Sequence, residues 1–332
     1  MRYPFAAFPE GWYALCFSHE LRARGVLTRM FAGREVVLFR AESGQVGVLD
    51  AYCPHMGAHL GVGGRVEGES LRCPMHGFRF DAAGSCVATG YGTKPPPKCV
   101  AAAHQVLEQN GIVLGYHALS PGRVASWQPP VQDMTGFGPW RTHVFRGVAS
   151  HPQETTENSV DIGHLAVVHG YRDVETVSAL QTDGAHLTTS YRVRRRALVP
   201  GTPETDALFT IDAHGLGYSF VDVQVASHRL RTRHFVLSTP TDGEHIDLHL
   251  ASCLRGEGPL SHVPMPLLER LLGGVVSRSF LADVRQDLPI WSNKICLQPP
   301  ALAQGDGPLG KYRAWARQFY EPPPQPPINT PS

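Results

Sequence analysis

Two short motifs limit what this chain can fold into more than any other part of it: Cys53-Pro54-His55 and Cys73-Pro74-Met75-His76-Gly77. Only residues 56–72 lie between them. A C-x-H followed closely by a C-x-x-H offers two thiolates and two imidazoles from two neighbouring loops. A proline follows each cysteine, and Gly57 and Gly77 close the two segments, so the pair reads as two tight, matched turns. Such a donor set suits a [2Fe–2S] cluster whose irons are held unequally, Cys53 and Cys73 on one and His55 and His76 on the other. Neutral imidazoles in place of two thiolates raise the potential to roughly −150 to +300 mV, against about −400 mV for all-cysteine ferredoxin clusters. A chain built around this cluster moves electrons one at a time.

A Cys2His2 zinc site is the competing reading of the same four residues. Structural zinc modules usually open with a C-x-x-C knuckle, which this sequence lacks, and the spacing matches a Rieske motif better. Cys16-Phe17-Ser18-His19 is a second C-x-x-H, but it has no companion pair. It lies where a strand enters a turn and reads as a buried thiol and a surface imidazole. Of the seven cysteines, Cys16, Cys86, Cys99, Cys253 and Cys296 then remain as scattered buried thiols in a reducing cytosol.

With 332 residues the chain has room for two domains with cores of their own. A formal net charge of +1 gives no basic face for nucleic acid. Hydrophobic residues make up 42%, with no apolar run approaching the length of about 18 that a membrane helix needs. Met1-Arg2-Tyr3-Pro4-Phe5 is not the start of a signal peptide, so a cytoplasmic protein without a membrane span is expected.

Residues 1–118 read as an all-β domain carrying the cluster loops. Its strand candidates are Val36–Phe39, Val46–Leu49 and Gly111–Tyr116; Asp81-Ala82-Ala83-Gly84 is a turn, and Pro95-Pro96-Pro97 lies outside any sheet. Pro/Gly-rich sequence from Pro121 to Pro139 marks a boundary. In the second domain, residues 119–320, strands are expected at Ser190–Val193, Tyr218–Val225, His234–Leu237 and His245–Leu250. In the last, Ile246, Leu248 and Leu250 alternate with Asp247 and His249, which predicts one buried face and one that is wet or faces a pocket. Thr241-Asp242-Gly243 supplies the turn before it. Helices are expected at about Glu154–Val168 and about Pro264–Ile290, with Gly273-Gly274 a point where the second could break. Residues 321–332 form a proline-rich tail expected to be disordered or draped on the surface.

Asp161 and His164 are spaced i, i+3 and would share a helix face. His164 and His169 are i, i+5, about 140° apart on an ideal helix, so both reach one metal only if the helix widens or ends between them. Beside a one-electron cluster this matters, because two histidines and a carboxylate form the usual non-haem Fe(II) oxygenase site.

Taken together, these motifs resemble the α subunit of a Rieske non-haem iron oxygenase, from Gly11-Trp12-Tyr13 to Phe319-Tyr320. The resemblance implies an α+β chain: the Rieske domain, then a helix-grip catalytic domain built on an antiparallel sheet. It implies Cys53, His55, Cys73 and His76 as cluster ligands, and His164 and His169 as ligands of a mononuclear Fe(II). It also implies Asp161 as the aspartate bridging His76 and His164 across the subunits of a head-to-tail homotrimer. Gln286-Asp287-Leu288-Pro289-Ile290-Trp291-Ser292-Asn293-Lys294 matches the family's Q-D-x-x-I-W-x-x-K region, so Asp287 is the expected third iron ligand, with Asp283 the fallback. Arg2-Tyr3-Pro4-Phe5, Gly57-Ala58-His59-Leu60 and the Tyr312–Tyr320 segment are similar to the branch holding 3-ketosteroid 9α-hydroxylase oxygenases and sterol C7-desaturases. That branch implies O2-dependent hydroxylation or desaturation of a bulky hydrophobic, steroid-like substrate. The electrons would come from a separate NAD(P)H-dependent reductase, with or without a ferredoxin, because no flavin or nicotinamide fingerprint is present here. Two other readings stay open: a natural-product tailoring oxygenase, and a Rieske electron carrier without catalytic iron.

Overall fold

The computed structural model describes residues 2–195 and 204–320; the proline-rich tail expected at 321–332 lies outside them. The N-terminal part is all β. β1 Gly11–Phe17 pairs with β10 Ile112–His117, and β10 with β9 Val106–Gln109. β2 Val26–Phe31, β3 Arg34–Arg40 and β4 Val46–Asp50 form a second sheet. β5 Arg65–Glu67, β6 Ser70–Arg72, β7 Arg79–Phe80 and β8 Cys86–Ala88 form a third. The three strands expected here are found, as are the Asp81 turn, where Asp81 Oδ1 accepts from the amides of Ala83 and Ser85, and the unpaired Pro95–Pro97 run. Cys16 is buried on β1 and His19 is exposed beyond it. All seven cysteines are free thiols; Cys86, expected buried, is only half-buried because it sits on the last short strand of its sheet.

The larger part is a seven-stranded antiparallel sheet ordered β11-β17-β16-β15-β14-β13-β12. Its strands are β11 Arg141–Val148, β12 Arg172–Asp183, β13 His186–Arg195, β14 Thr205–His214, β15 Tyr218–Val225, β16 Leu230–Pro240 and β17 Ile246–Gly256. One face packs on β1 and β10, where Trp12, Phe17, Leu114, Tyr218, Phe235 and Leu237 share a core. This corrects the reading of His249. It is buried rather than wet or pocket-facing, because its side of β17 is covered by the N-terminal part and its ring meets Phe17 edge-on.

The other face is gripped by a long helix. It runs through α3 Met265–Leu268 and a π-helical turn at Glu269–Gly273, then continues as α4 Gly274–Asn293. Gly273-Gly274 therefore does not break the helix; the chain takes one wider turn there instead. Val284 and Trp291 of α4 pack on Leu248 and Leu250 of β17. The helix expected over 154–168 is two: α1 Pro152–Glu157 and α2 Ile162–Val167. Asp161 separates them as the N-cap of α2, so it does not share a helix face with His164. Its Oδ1 accepts from the His164 amide, satisfying one of the donors a helix start leaves free. α5 Leu309–Ala316 closes the fold against α1, with Tyr312 donating to the Gln153 carbonyl.

Candidate functional site

The two cluster loops are copies of one turn. In the first, the Cys53 amide donates to Ala58 and the Gly57 amide to Cys53; in the second, Cys73 donates to Phe78 and Gly77 to Cys73. Both glycines are left-handed, at φ 76° and 69°, a region L-residues with side chains adopt only with strain. The repeated geometry brings all four candidate ligands together. Cys53 and Cys73 are buried on the core side, while His55 and His76 are half-buried with ring centroids 4.8 Å apart. Phe78 stacks on His55 at 4.2 Å and holds its plane. Burial and the neighbouring Cys73 push the Cys53 thiol up to about 11, against the pull of a hydrogen bond from the His55 amide. Two buried thiols side by side fit a cationic metal centre, which takes them as thiolates. The imidazole side points outward among exposed Tyr52, Met56, Met75 and Tyr91.

The second group lies at one end of the cavity between sheet and helix. One ligand atom from each of His164, His169 and Asp287 falls within 4.8 Å of the other two. His169 Nε2 is 3.6 Å from Asp287 Oδ1, and the two imidazoles are 5.0 Å apart at 76°. Helix α2 ends between the histidines, and Gly170 at φ 67° turns the chain, which is how an i, i+5 pair comes to face one point. Both tautomers follow from the hydrogen bonds. His164 Nδ1 donates to the Asp161 carbonyl, and His169 Nδ1 donates to Gln286 Oε1 at 2.9 Å. Each ring is left with an unprotonated Nε2, the atom a metal takes. Burial and the nearby His169 act together to lower the His164 pKa, with Asp161 opposing. Burial raises Asp287 to about 6, against the attraction of His169. An anion held this reluctantly, beside two neutral imidazoles, fits a divalent cation.

Asp283, the fallback, is committed elsewhere: it accepts from Tyr171 Oη at 2.8 Å and from Arg195 at 3.1 Å. The Asp161 carboxylate is only partly buried, and its Oδ2 lies 4.0 Å from His164 Nδ1. The ring thus bonds the backbone of Asp161 and not its side chain, which leaves the carboxylate free to face outward.

Supporting residues went unassigned in the sequence reading. Gln286 orients His169. Asn158 accepts from Trp291 Nε1 at 3.3 Å and acts to lower the Asp287 pKa. Lys294 pairs with fully buried Glu154 at 2.6 Å, and Arg313 grips Glu157 at 2.7 and 2.9 Å, tying the end of α4 and α5 to α1. Arg2 donates to the Lys294 carbonyl, so the N-terminal and C-terminal signature segments meet in space. The apolar part of the cavity wall comes from residues such as Phe209, Ile211, Val223, Val225, Val236 and Phe280.

Comparison with known proteins agrees with this geometry. The Rieske [2Fe-2S] domain model matches residues 11–101, and the 3-Ketosteroid 9alpha-hydroxylase C-terminal domain model matches residues 120–320. Cholesterol 7-desaturase nvd of Bombyx mori is 31% identical, the match covering 94% of this chain and 70% of that protein. The oxygenase component of 3-ketosteroid-9-alpha-monooxygenase from Rhodococcus rhodochrous is 27% identical, covering 94% and 81%. Among solved structures, dicamba monooxygenase bound to dicamba superposes with a TM-score of 0.73 at 18% identity, covering 93% of this chain and 96% of that one. The chain belongs to the Rieske-type oxygenases, oxidoreductases that join a [2Fe–2S] domain to a catalytic domain, and within them to the family of the 3-ketosteroid 9alpha-hydroxylase C-terminal domain.

Proposed function

We propose that this chain is the terminal oxygenase of a multicomponent system that hydroxylates or desaturates a bulky steroid- or sterol-like substrate with O2. The observation that carries the reading is the convergence of His164, His169 and Asp287 in the wall of a cavity otherwise lined largely by Val, Ile, Leu and Phe atoms. Fe(II) held by these three residues would supply dioxygen activation and the removal of hydrogen from an unactivated C–H. The protein's own part is positioning. Gln286 and the Asp161 carbonyl fix the imidazole tautomers, and Asn158 favours the charged form of Asp287. The valine- and phenylalanine-rich part of the wall suits the apolar face of a fused-ring nucleus. The relatives named for steroids and sterols support that substrate class.

The Rieske cluster receives electrons, in this reading, from a separate NAD(P)H-dependent reductase, directly or through a ferredoxin. Homotrimeric assembly is part of the proposal. The exposed apolar residues around His55 and His76 (Tyr52, Met56, Met75 and Tyr91) suit a contact between subunits, with Asp161 of a neighbouring subunit as the bridge. Free thiols throughout fit a reducing compartment, and we place the chain in the cytoplasm. The proposed division is residues 1–118, 119–320 and 321–332. Full-length protein, a Rieske-oxygenase reductase and NADH, given cholesterol or androst-4-ene-3,17-dione under ¹⁸O2, should yield an ¹⁸O-labelled alcohol or an unlabelled alkene. Iron-replete enzyme that consumes O2 with neither probe, and shows no spectral change on adding them, would contradict the steroid reading.

A further inference from the structure

Among the valines, isoleucine and phenylalanines of the cavity wall stand several polar groups besides the metal triad, and one pair of them is incompletely bonded. Thr232 and His234 are successive inward-facing residues of β16, 3% and 7% exposed, and both line the cavity. His234 Nε2 and Thr232 Oγ1 are hydrogen-bonded at 2.8 Å, while His234 Nδ1 has no partner. Arg195, also in the wall, is mostly engaged: its Nη2 donates to both Asp283 and Ser279, and its Nε, like His234 Nδ1, has no partner. An incompletely bonded imidazole in an apolar wall is unfavourable unless something else uses the pair. Valine at these positions would pack better against Phe280, whose ring lies 4.4 Å from His234.

The position of the pair in the cavity is informative. Phe280 and Asp287 lie seven residues apart on α4, about 10 Å along the helix at 1.5 Å per residue. His234, against Phe280, therefore marks a point two helical turns from the triad. A flat, rigid polycycle with one oxygen at its end spans that gap.

We propose that Thr232 and His234 are the oxygen-recognition point of the cavity: they hydrogen-bond a single ketone or hydroxyl oxygen of the substrate, and this contact selects which C–H bond lies over the triad. The proposal rests on the steroid-like substrate class argued above. The pair serves either oxygen type. With the His234 Nε2–H donating to Thr232, the hydroxyl proton is free for a ketone; with Thr232 donating to His234, its oxygen accepts from an alcohol. Burial, assisted by Arg195, holds the imidazole near 3, so it stays neutral in both cases.

The test is binding of matched probes to the full-length, cluster-loaded protein, read by tryptophan fluorescence, since Trp291 lines the cavity. Wild type should bind cholest-4-en-3-one about 10- to 100-fold more tightly than its deoxy analogue cholest-4-ene. Thr232→Val and His234→Leu should abolish that preference by weakening the ketone alone. The double variant Thr232→Val/His234→Leu should lose the preference too and keep the wild-type melting temperature or exceed it, because both partners of the buried hydrogen bond are replaced by apolar groups together, whereas each single variant leaves one of them unpartnered and melts slightly lower. Turnover by His234→Leu should give a broader set of oxidation positions. Equal binding of the two probes by wild type, or a preference that survives both substitutions, would overturn the proposal and leave the steroid cavity standing. Failure of wild type to bind either probe would overturn the substrate class and the anchor with it. A large loss of melting temperature in the double variant would show the pair to be structural.

Discussion

Gln286→Leu isolates one supporting contact of the candidate iron site. The His169 ring is oriented by a single side-chain bond, Nδ1–H to Gln286 Oε1 at 2.9 Å. Leucine keeps the helix propensity and removes the acceptor. Partners of this kind account for about 10- to 100-fold in metal affinity. Gln286 is exposed, so water replaces the lost acceptor and the effect falls at the lower end, about tenfold or about 1.4 kcal/mol. Gln286→Glu presents a stronger acceptor to the same proton and should tighten Fe(II) a few-fold. Asn158→Ala removes a neighbour that favours the charged form of buried Asp287 and should weaken Fe(II) as well. Chelator competition reports all three as loss of the mononuclear Fe(II), with the cluster absorbance as internal reference. Wild-type iron affinity in Gln286→Leu, together with no gain in Gln286→Glu, would refute the orientation argument.

Asp161→Asn should let both centres load yet slow reoxidation of the reduced cluster by orders of magnitude in single turnover with substrate and O2, and mixing it with His76→Ala chains should restore activity if the bridge crosses subunits. A wild-type reoxidation rate would make Asp161 a helix cap only. Gly77→Ala should lose the cluster, since a Cβ there meets Arg72 and the Gly90 backbone at 3.0 Å, whereas Gly57→Ala, with nothing within 4 Å, should keep it at a strain of about 1–2 kcal/mol; visible absorbance separates them. Burial lowers His151 to about 4 and His234 and His249 to about 3, so below the unfolded value of about 6.5 the unfolded chain binds more protons than the native one. Their stabilising neutral state is complete above about pH 6.5 and is lost as pH falls toward 4, at up to about 1.4 kcal/mol per unit for each. Burial lowers His117 and His214 to about 4 as well, so of five such histidines His249→Leu should flatten that slope by about a fifth, and a melting temperature independent of pH from 7 to 4.5 would refute it.

The cluster loops were legible because their information is local. Cysteine, proline, histidine and glycine at fixed short offsets specify one turn, and the chain contains it twice. The break at residues 158–161 was legible in principle: Asn158, Ser159 and Asp161 are all capping residues, and their clustering outweighs the helical spacing read through them. Gln286 and Asn158 sat in quoted motifs without a role, because their partners His169 and Trp291 lie 117 and 133 residues away. β12 escaped notice for a different reason. Nearly all of it is exposed, so Arg172–Asp183 carries no hydrophobic alternation, and its pairing comes from β13 alone. His249 was misread because alternation predicts a second face but not what covers it; that cover is β1, far away in sequence.

Counting iron tests the central claim most directly. The account holds that the chain carries two independent metal centres, a Rieske cluster in its N-terminal part and a mononuclear iron on His164, His169 and Asp287. Anaerobically reconstituted wild-type protein should contain about three Fe per chain, and His169→Ala and Asp287→Ala about two, with the Rieske EPR signal unchanged in every case. About two Fe in fully reconstituted wild type, or loss of the cluster signal in either variant, would contradict it.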